Sequence, residues 1–337
     1  MSKVQRAGVS HVPVPSAPPA LPVGEPVIAV LTAAYRARRP VLLEGPTGIG
    51  KSQITAEFAG RSGLQHRVLD LSLLEPPDLV GLPQLRDGRT HYAFPAELPT
   101  DGVGVLMLEE LNRAEIPVMQ PALQLLSARR LHAYELPPGW FCVAAVNPEQ
   151  DDYQVNRLDA ALRSRFLQVF VRADRDEWLR WAQRANVHPI VQRLVREQPE
   201  VFATSSPRSW AYAGEVLAGL TPAELANRDL VLTLARGYLP VAWATALAEA
   251  LAGLAATPPL DVARCFAAGG DRWFTDVVAA LAAVGRTDAI SMHVFALRQA
   301  KSPAGFGAEH WERLLAAVPG DLRQQALAAV RLREATA

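Results

Sequence analysis

The sequence predicts an α/β fold: a three-layer domain in which a parallel sheet lies between helices, followed by an all-helical region. In the first half of the chain, short apolar runs alternate with segments of helical periodicity. This alternation is typical of a parallel sheet covered on both faces. After Val171 the strand signals cease, and the remaining residues are helical in pattern with breaks at proline and glycine. Because 337 residues exceed the size of one ordinary core, we expect roughly two domains.

The charge balance and the cysteine content narrow the class of protein. The 34 basic and 34 acidic residues balance, so no bulk field favours nucleic acid or an acidic membrane as a partner. Cys142 and Cys265 are far apart in apolar contexts, which is typical of reduced, buried thiols. The start carries no apolar core of an export signal, and charges interrupt the long alanine- and leucine-rich stretches. We therefore expect a cytoplasmic protein with no membrane span.

The chain begins with a proline-rich arm, which we assign to residues 1–24. Over residues 11–26 a proline recurs every two or three positions, and such a segment cannot continue a helix or a central strand. Apolar residues then recur at helical spacing over residues 27–38. An apolar run at 40–45, stopped by glycine, predicts a buried parallel strand.

Helices and strands continue to alternate up to Val146. The predicted elements are a helix at 50–61, strands at 67–71 and 103–108, a helix at 116–128 and a strand at 141–146. Two hairpins interrupt this order, one with the preferred turn pair Asp87-Gly88 and a smaller one at 131–140. Neither belongs to the minimal sheet, so both are insertions. We assign the α/β domain to residues 25–173 and the helical part to residues 174–337.

A glycine-rich loop follows the first predicted strand and precedes a helix. It matches the pattern G-x-x-x-x-G-K-[ST] with Gly45, Pro46, Thr47, Gly48, Ile49, Gly50, Lys51 and Ser52. The glycines let backbone N–H groups turn inward around an anionic phosphate, and the helix adds its N-terminal partial charge. Lys51 would contact the β and γ phosphates of ATP, and the Ser52 hydroxyl would be a ligand of Mg²⁺. The alternative is an ordinary glycine-rich turn.

Two acids end the apolar strand around residues 105–108. Open α/β sheets place ligands at the carboxyl ends of their strands, so Glu109 and Glu110 are candidates for the chemistry. We assign Glu109 to the metal ion, through its water shell, and Glu110 to the water that attacks the γ-phosphate. A solvated acidic pair at a strand end is the alternative interpretation.

The segment from Glu109 to Ala114 reads Glu-Glu-Leu-Asn-Arg-Ala and resembles the MoxR-type AAA+ ATPases. The resemblance covers about residues 25–220, including residues 78–81 and Phe94-Pro95. The family usually has Asp where Glu109 stands, and the extra methylene moves the carboxylate by about 1.5 Å. That departure puts the magnesium geometry and the hydrolysis rate in doubt more than nucleotide binding.

The resemblance implies roles for four further residues. Asn147, at the end of a strand, takes the place of sensor 1, which positions the attacking water, although Asn-Pro is also a common turn. Arg165 best matches the arginine finger that reaches the ATP of the next subunit, with Arg163 as second candidate. Ordinary surface ion pairs are the alternative for both. Arg208 resembles sensor 2, although Ser-Pro at a helix start also makes structural sense.

Three functions are compatible with these motifs. The first is a ring-forming ATPase, a hexamer by the resemblance, that remodels a protein substrate together with a partner bearing a von Willebrand factor A domain. The second is a nucleic-acid motor such as the subunit of a restriction system, and the neutral net charge argues against it. The third is a monomeric small-molecule kinase, which would leave Arg165 and Arg208 without a task.

Overall fold

The computed structural model describes residues 19–148, 156–158 and 160–255. By internal contacts the chain divides into two compact units. The first contains the residues up to Pro46 and Lys51–Arg172, and the second contains Thr47–Gly50 and the residues from Ala173 onward. Most of the predicted arm, Cys265 and the predicted helices after residue 255 lie outside the described residues. The domain limits at 24, 173 and 337 stay predictions.

The first unit is built on a six-stranded parallel sheet. In chain order the strands of this unit are β1 (Leu21–Pro22), β2 (Val41–Glu44), β3 (Gln65–Asp70), β4 (Leu82–Arg86), β5 (Arg89–Ala93), β6 (Gly104–Glu109), β7 (Arg130–Leu131), β8 (Tyr134–Glu135), β9 (Trp140–Val146) and β10 (Leu167–Arg172). The sheet has the order β1-β10-β2-β9-β6-β3. The predicted α/β class with a parallel sheet is therefore confirmed.

Helices connect these strands. They are α1 (Glu25–Arg36), α2 (Lys51–Arg61), α3 (Pro76–Val80), α4 (Ile116–Ala128) and α5 (Ala160–Arg163). The central strands β6 and β9 are buried along nearly their whole length, as expected for apolar strands covered on both faces. Cys142 lies in β9, is 3% exposed, and burial raises the pKa of its thiol to about 12. It is a buried free cysteine, as predicted.

Both predicted hairpins are present. Asp87 and Gly88 join β4 to β5 with φ values of 51° and 69°, which is the left-handed pair that a tight two-residue turn requires. The second hairpin, β7–β8, is shorter than predicted and ends at Glu135. The rings of Tyr92 in the first hairpin and His132 in the second are stacked, with centroids 4.6 Å apart and planes at 3°.

Two edge features differ from the sequence prediction. Leu21 and Pro22, in the predicted arm, form β1 and pair with Val171 and Arg172. Proline is tolerated there because an edge strand has one side without ladder partners. The sequence pattern ends its strand signals at Val171 without delimiting a strand, whereas β10 covers Leu167–Arg172.

The second unit is helical throughout its described part. Its helices are α6 (Arg175–Arg184), α7 (Pro189–Glu197), α8 (Pro207–Ala218), α9 (Pro222–Ala226), α10 (Arg228–Arg236) and α11 (Val241–Ala255). Trp178 and Trp210 are buried in its core, and Trp181 and Trp243 pack against it. These four tryptophans thus belong to the core of the second unit or pack against it, and Trp273 and Trp311 lie outside the described part. None of the described helices has the length and apolar character that a membrane span requires.

Candidate functional site

The glycine-rich loop joins β2 to α2. Gly48 and Gly50 have φ values of 73° and 100°, a conformation that residues with a Cβ rarely adopt. Lys51 is 8% exposed, and its Nζ donates to the carbonyls of Gly45 at 2.6 Å and Pro46 at 2.9 Å. The ammonium is therefore held inside the curve of the loop, where the sequence places a phosphate.

Gly48 is constrained for a second reason, by contacts within the second unit. Its carbonyl accepts a hydrogen bond of 3.0 Å from the backbone N–H of Arg208. A Cβ on Gly48 would lie 3.0 Å from the Ser206 Oγ, so a side chain would collide with the start of α8. Arg208, the predicted sensor 2 residue, thus lies in the first turn of α8 next to Gly48, with an exposed side chain.

The two acids leave β6 in different backbone conformations. Glu109 is the last residue of the strand, beside Asp70 in the ladder register. Glu110 is left-handed, with φ 53° and ψ 34°, and its carbonyl accepts hydrogen bonds from the N–H groups of Arg113 and Ala114. A non-glycine residue in this region is uncommon, and here a 3₁₀ turn over Leu111–Arg113 holds it.

The sheet order explains why the motifs meet. Strand β9 lies between β2, which leads into the loop, and β6, which ends in the acids. Because the three strands are parallel, their carboxyl ends lie at the same edge of the sheet. Asn147 follows β9 directly and therefore stands between the two motifs.

Asn147 bridges the lysine and the acid. Asn147 is 2% exposed. Its Oδ1 accepts a hydrogen bond from Lys51 Nζ at 3.2 Å, and its Nδ2 donates one to Glu110 Oε2 at 2.6 Å. An amide between an ammonium and a carboxylate has only one favourable orientation. Lys51, Asn147 and Glu110 thus form one hydrogen-bonded chain, which is buried at Lys51 and Asn147 and half-buried at Glu110.

Asn112 holds Asn147 from the other side. Its Nδ2 donates to the Asn147 carbonyl at 2.8 Å, and its Oδ1 accepts from the Asn147 N–H at 3.2 Å. No separate role of Asn112 is predicted from the sequence. The only signal was its place in the Glu-Glu-Leu-Asn-Arg-Ala segment.

The two finger candidates differ in their surroundings. The Nη1 of Arg163 donates to Glu44 Oε2 at 2.6 Å, and its Nε donates to the Leu158 carbonyl. Arg163 is thus tied to the strand that leads into its own glycine-rich loop. Arg165 is exposed and lies outside the chain formed by Lys51, Asn147 and Glu110.

The donor set fits a nucleotide with Mg²⁺. Ser52, in the first turn of α2, and Glu109 supply hydroxyl and carboxylate oxygens, which are the ligands Mg²⁺ prefers, usually together with phosphate oxygens and water. Burial lowers the pKa of the neighbouring His66 imidazole, and the charge of Glu109 opposes that shift. A glycine cradle with a buried lysine and a pair of acids on one sheet edge defines a P-loop nucleotide-binding domain.

The comparisons with known proteins agree with this class. Residues 40–166 match the family described as AAA domain, dynein-related subfamily, and this match agrees with the resemblance found in the sequence. Nucleotide binding follows from that family.

Two curated relatives match this chain. NorQ of Paracoccus denitrificans is 32% identical over 160 residues, which cover 45% of this chain and 58% of NorQ. MoxR of Methylorubrum extorquens is 31% identical over 157 residues, which cover 44% of this chain and 45% of MoxR. The chain thus spans about half the length of the curated relatives it matches. A solved structure of a RuvB mutant of Thermotoga maritima is 18% identical to this chain, with a TM-score of 0.40. The match covers 88% of this chain and 96% of the RuvB chain. That likeness is too weak to bear on function.

Proposed function

We propose that this chain is an ATPase that binds ATP and Mg²⁺ through residues 45–52 and hydrolyses the nucleotide at Glu110. The observation that carries the proposal is the hydrogen-bonded chain from buried Lys51 through Asn147 to Glu110. It joins the group expected to bind the β and γ phosphates to the group expected to accept a proton from water. An ordinary glycine-rich turn requires neither a buried ammonium nor its link to a carboxylate.

In this mechanism Lys51 exchanges the carbonyls of Gly45 and Pro46 for phosphate oxygens when ATP binds. Asn147 and Glu110 orient a water molecule against the γ-phosphorus, and Glu110 accepts its proton. The new bond joins that oxygen to the γ-phosphorus, while the bond to the ADP oxygen breaks. Bound Mg²⁺, held by Ser52 and by Glu109 through water, would neutralise charge on the phosphates.

The arginines favour a ring of subunits. Arg163 is engaged with Glu44 of its own chain, which supports exposed Arg165 as the finger that enters a neighbour's site. Arg208 would act in its own subunit as sensor 2. By resemblance the ring is a hexamer that remodels a protein substrate with a von Willebrand factor A domain protein; the matches of this chain to NorQ and MoxR support the resemblance itself.

The proposal is tested by replacing the proposed base, Glu110, with a side chain of the same size. Glu110→Gln removes the proton acceptor but leaves the phosphate ligands, so ATP binding should persist while turnover falls by about 10² to 10⁴-fold. Phosphate release and calorimetric binding of ATP measure the two properties in the presence of Mg²⁺.

The matched control is Glu115→Gln, because Glu115 is an exposed acid on the same loop with no side-chain cap hydrogen bond. This variant should hydrolyse ATP like the parent. If Glu110→Gln were active and Glu109→Gln were the inactive variant, the roles of the two acids would be reversed. Full activity of both would remove the carboxylates from the mechanism.

A further inference from the structure

We propose that Asn112 is a positioning residue: it fixes the backbone of Asn147, so that the Asn147 side chain reaches Lys51 and Glu110. The inference rests on the proposed ATPase function and deepens it. It is based on the pair of hydrogen bonds between the Asn112 amide and the Asn147 main chain.

The need for such a residue follows from the unequal ends of two neighbouring strands. The ladder between β6 and β9 has its last register pair at Leu108 and Ala144. After Glu109 the chain leaves the sheet through left-handed Glu110, whereas the other strand runs on to Val146. On the side of β6, the N–H and C=O of Asn147 therefore have no strand to pair with.

The side chain of Asn112 replaces the missing strand. A primary amide carries the same donor and acceptor as a peptide group, and here it gives one hydrogen bond and receives one from the same residue. Asn112 and Asn147 are each 2% exposed, so bulk water has little access to these groups. The ladder is thus extended to the residue that carries the catalytic amide.

The same loop also holds the returning chain. The N–H of Asn156 donates to the Asn112 carbonyl at 2.6 Å, and its Nδ2 donates to the Ala114 carbonyl at 2.8 Å. Asn156 lies a few residues before Arg163 and Arg165. Asn112 therefore joins the acid-bearing loop to Asn147 through its side chain and to the finger segment through its backbone.

The test is a double-mutant cycle in ATP turnover with Asn112→Ala and Asn147→Ala. If Asn112 acts through Asn147, its loss should lower kcat by about 10²-fold, as expected for a misplacement of about 1 Å. Calorimetry should show the ATP affinity within roughly threefold of the parent. In the Asn147→Ala background, measured by single-turnover phosphate release, Asn112→Ala should cause no further loss.

Two more variants separate positioning from stability. Asn112→Asp keeps the shape of the side chain and its acceptor oxygen but loses the N–H donor. In the parent background it should lower kcat. In the Asn147→Ala background, like Asn112→Ala, it should cause no further loss. Asn227→Ala removes the cap of α10 in the second unit and controls for general destabilisation; its kcat should stay at the parental value.

The outcomes distinguish the two proposals. Losses that multiply in the double variant, or failure of both Asn112 variants to fold, would make Asn112 a structural residue and overturn its positioning role alone. A parent protein that binds ATP but never hydrolyses it would overturn the ATPase proposal and the positioning role together.

Discussion

The ammonium of Lys51 is nearly inaccessible to water, and its environment explains how the fold tolerates it. A buried cation is costly unless hydrogen-bond acceptors surround it. Here two loop carbonyls and the Asn147 amide oxygen accept from it, and none of these three groups carries a formal charge. These three acceptors solvate the ammonium inside the loop.

Lys51→Ala should abolish ATP binding, because the phosphate charge would lose its counter-charge in the loop. The fold should survive, since the three acceptors described for the ammonium are neutral groups. Calorimetric titration with ATP measures the affinity, and thermal unfolding checks the fold. Tight ATP binding by a folded Lys51→Ala protein would be incompatible with the assignment of residues 45–52.

At the scale of single residues, the sequence predicts those parts of the site that are contiguous. The glycine loop and the two acids are each read from one short segment in its strand context. The pairing of Asn112 with Asn147 joins residues 35 positions apart, and the ion pair of Arg163 with Glu44 spans 119 positions. Both depend on which strands are neighbours, and local patterns do not contain that information.

At the scale of elements, most of the described helices of the second unit have a side-chain N-cap. Each of α6 to α10 is preceded by a residue whose side chain accepts a hydrogen bond from the first turn of the helix. These caps are Asp174, His188, Ser206, Thr221 and Asn227. Such caps satisfy N–H groups that have no partner inside the helix. Histidine is the unusual member of this set, because its acceptor nitrogen can be protonated.

His188 should make the stability of the protein depend on pH. It is fully buried, its Nδ1 accepts from the Ile190 N–H, and burial lowers the pKa of its imidazole from 6.5 to about 4. The unfolded chain therefore binds the proton more readily, and stability is lost as the pH falls from about 6.5 towards 4. Between pH 7.5 and pH 5 the loss should be about 2 kcal/mol, measured by urea unfolding.

The matched variant is His188→Asn, because asparagine is a favoured cap that does not titrate. Other groups also titrate over this range, so the comparison of the two proteins isolates the imidazole. The variant should lose less free energy of unfolding than the parent over the same pH interval. Equal losses in the two proteins would rule out His188 as the source.

Element boundaries follow the sequence closely where elements are long and buried, and less closely at the edges. The predicted helix at 116–128 coincides with α4. Strand β1 has two residues, too few for any periodicity, and exposed and buried positions mix in β10. A pattern of burial cannot delimit strands whose pairing is decided by a distant partner.

At the scale of the whole molecule, the proposed ring predicts that a subunit is inactive by itself. Turnover per protomer should rise with protein concentration, because Arg165 has to enter a neighbour's site. A finger supplied in trans can be worth about 10³ to 10⁵ in rate. Arg165→Ala and Lys51→Ala should each be nearly inactive, yet a mixture should recover activity where the second donates its finger to the first.

Recovery requires mixed rings, so subunit exchange is verified first with a labelled protomer. Arg172→Ala serves as the matched control, since Arg172 is an exposed arginine at the end of β10, away from the finger segment. Once exchange is established, absence of recovery together with turnover that is independent of concentration would indicate a self-contained monomeric site.

The stack of Tyr92 on His132 has a mechanical consequence for the two hairpins. The ring centroids lie 4.6 Å apart and the ring planes are nearly parallel, so a small sideways displacement keeps most of the contact, whereas separation of the planes loses it. The contact should therefore oppose separation of the two hairpin tips more strongly than it opposes sliding of one tip past the other.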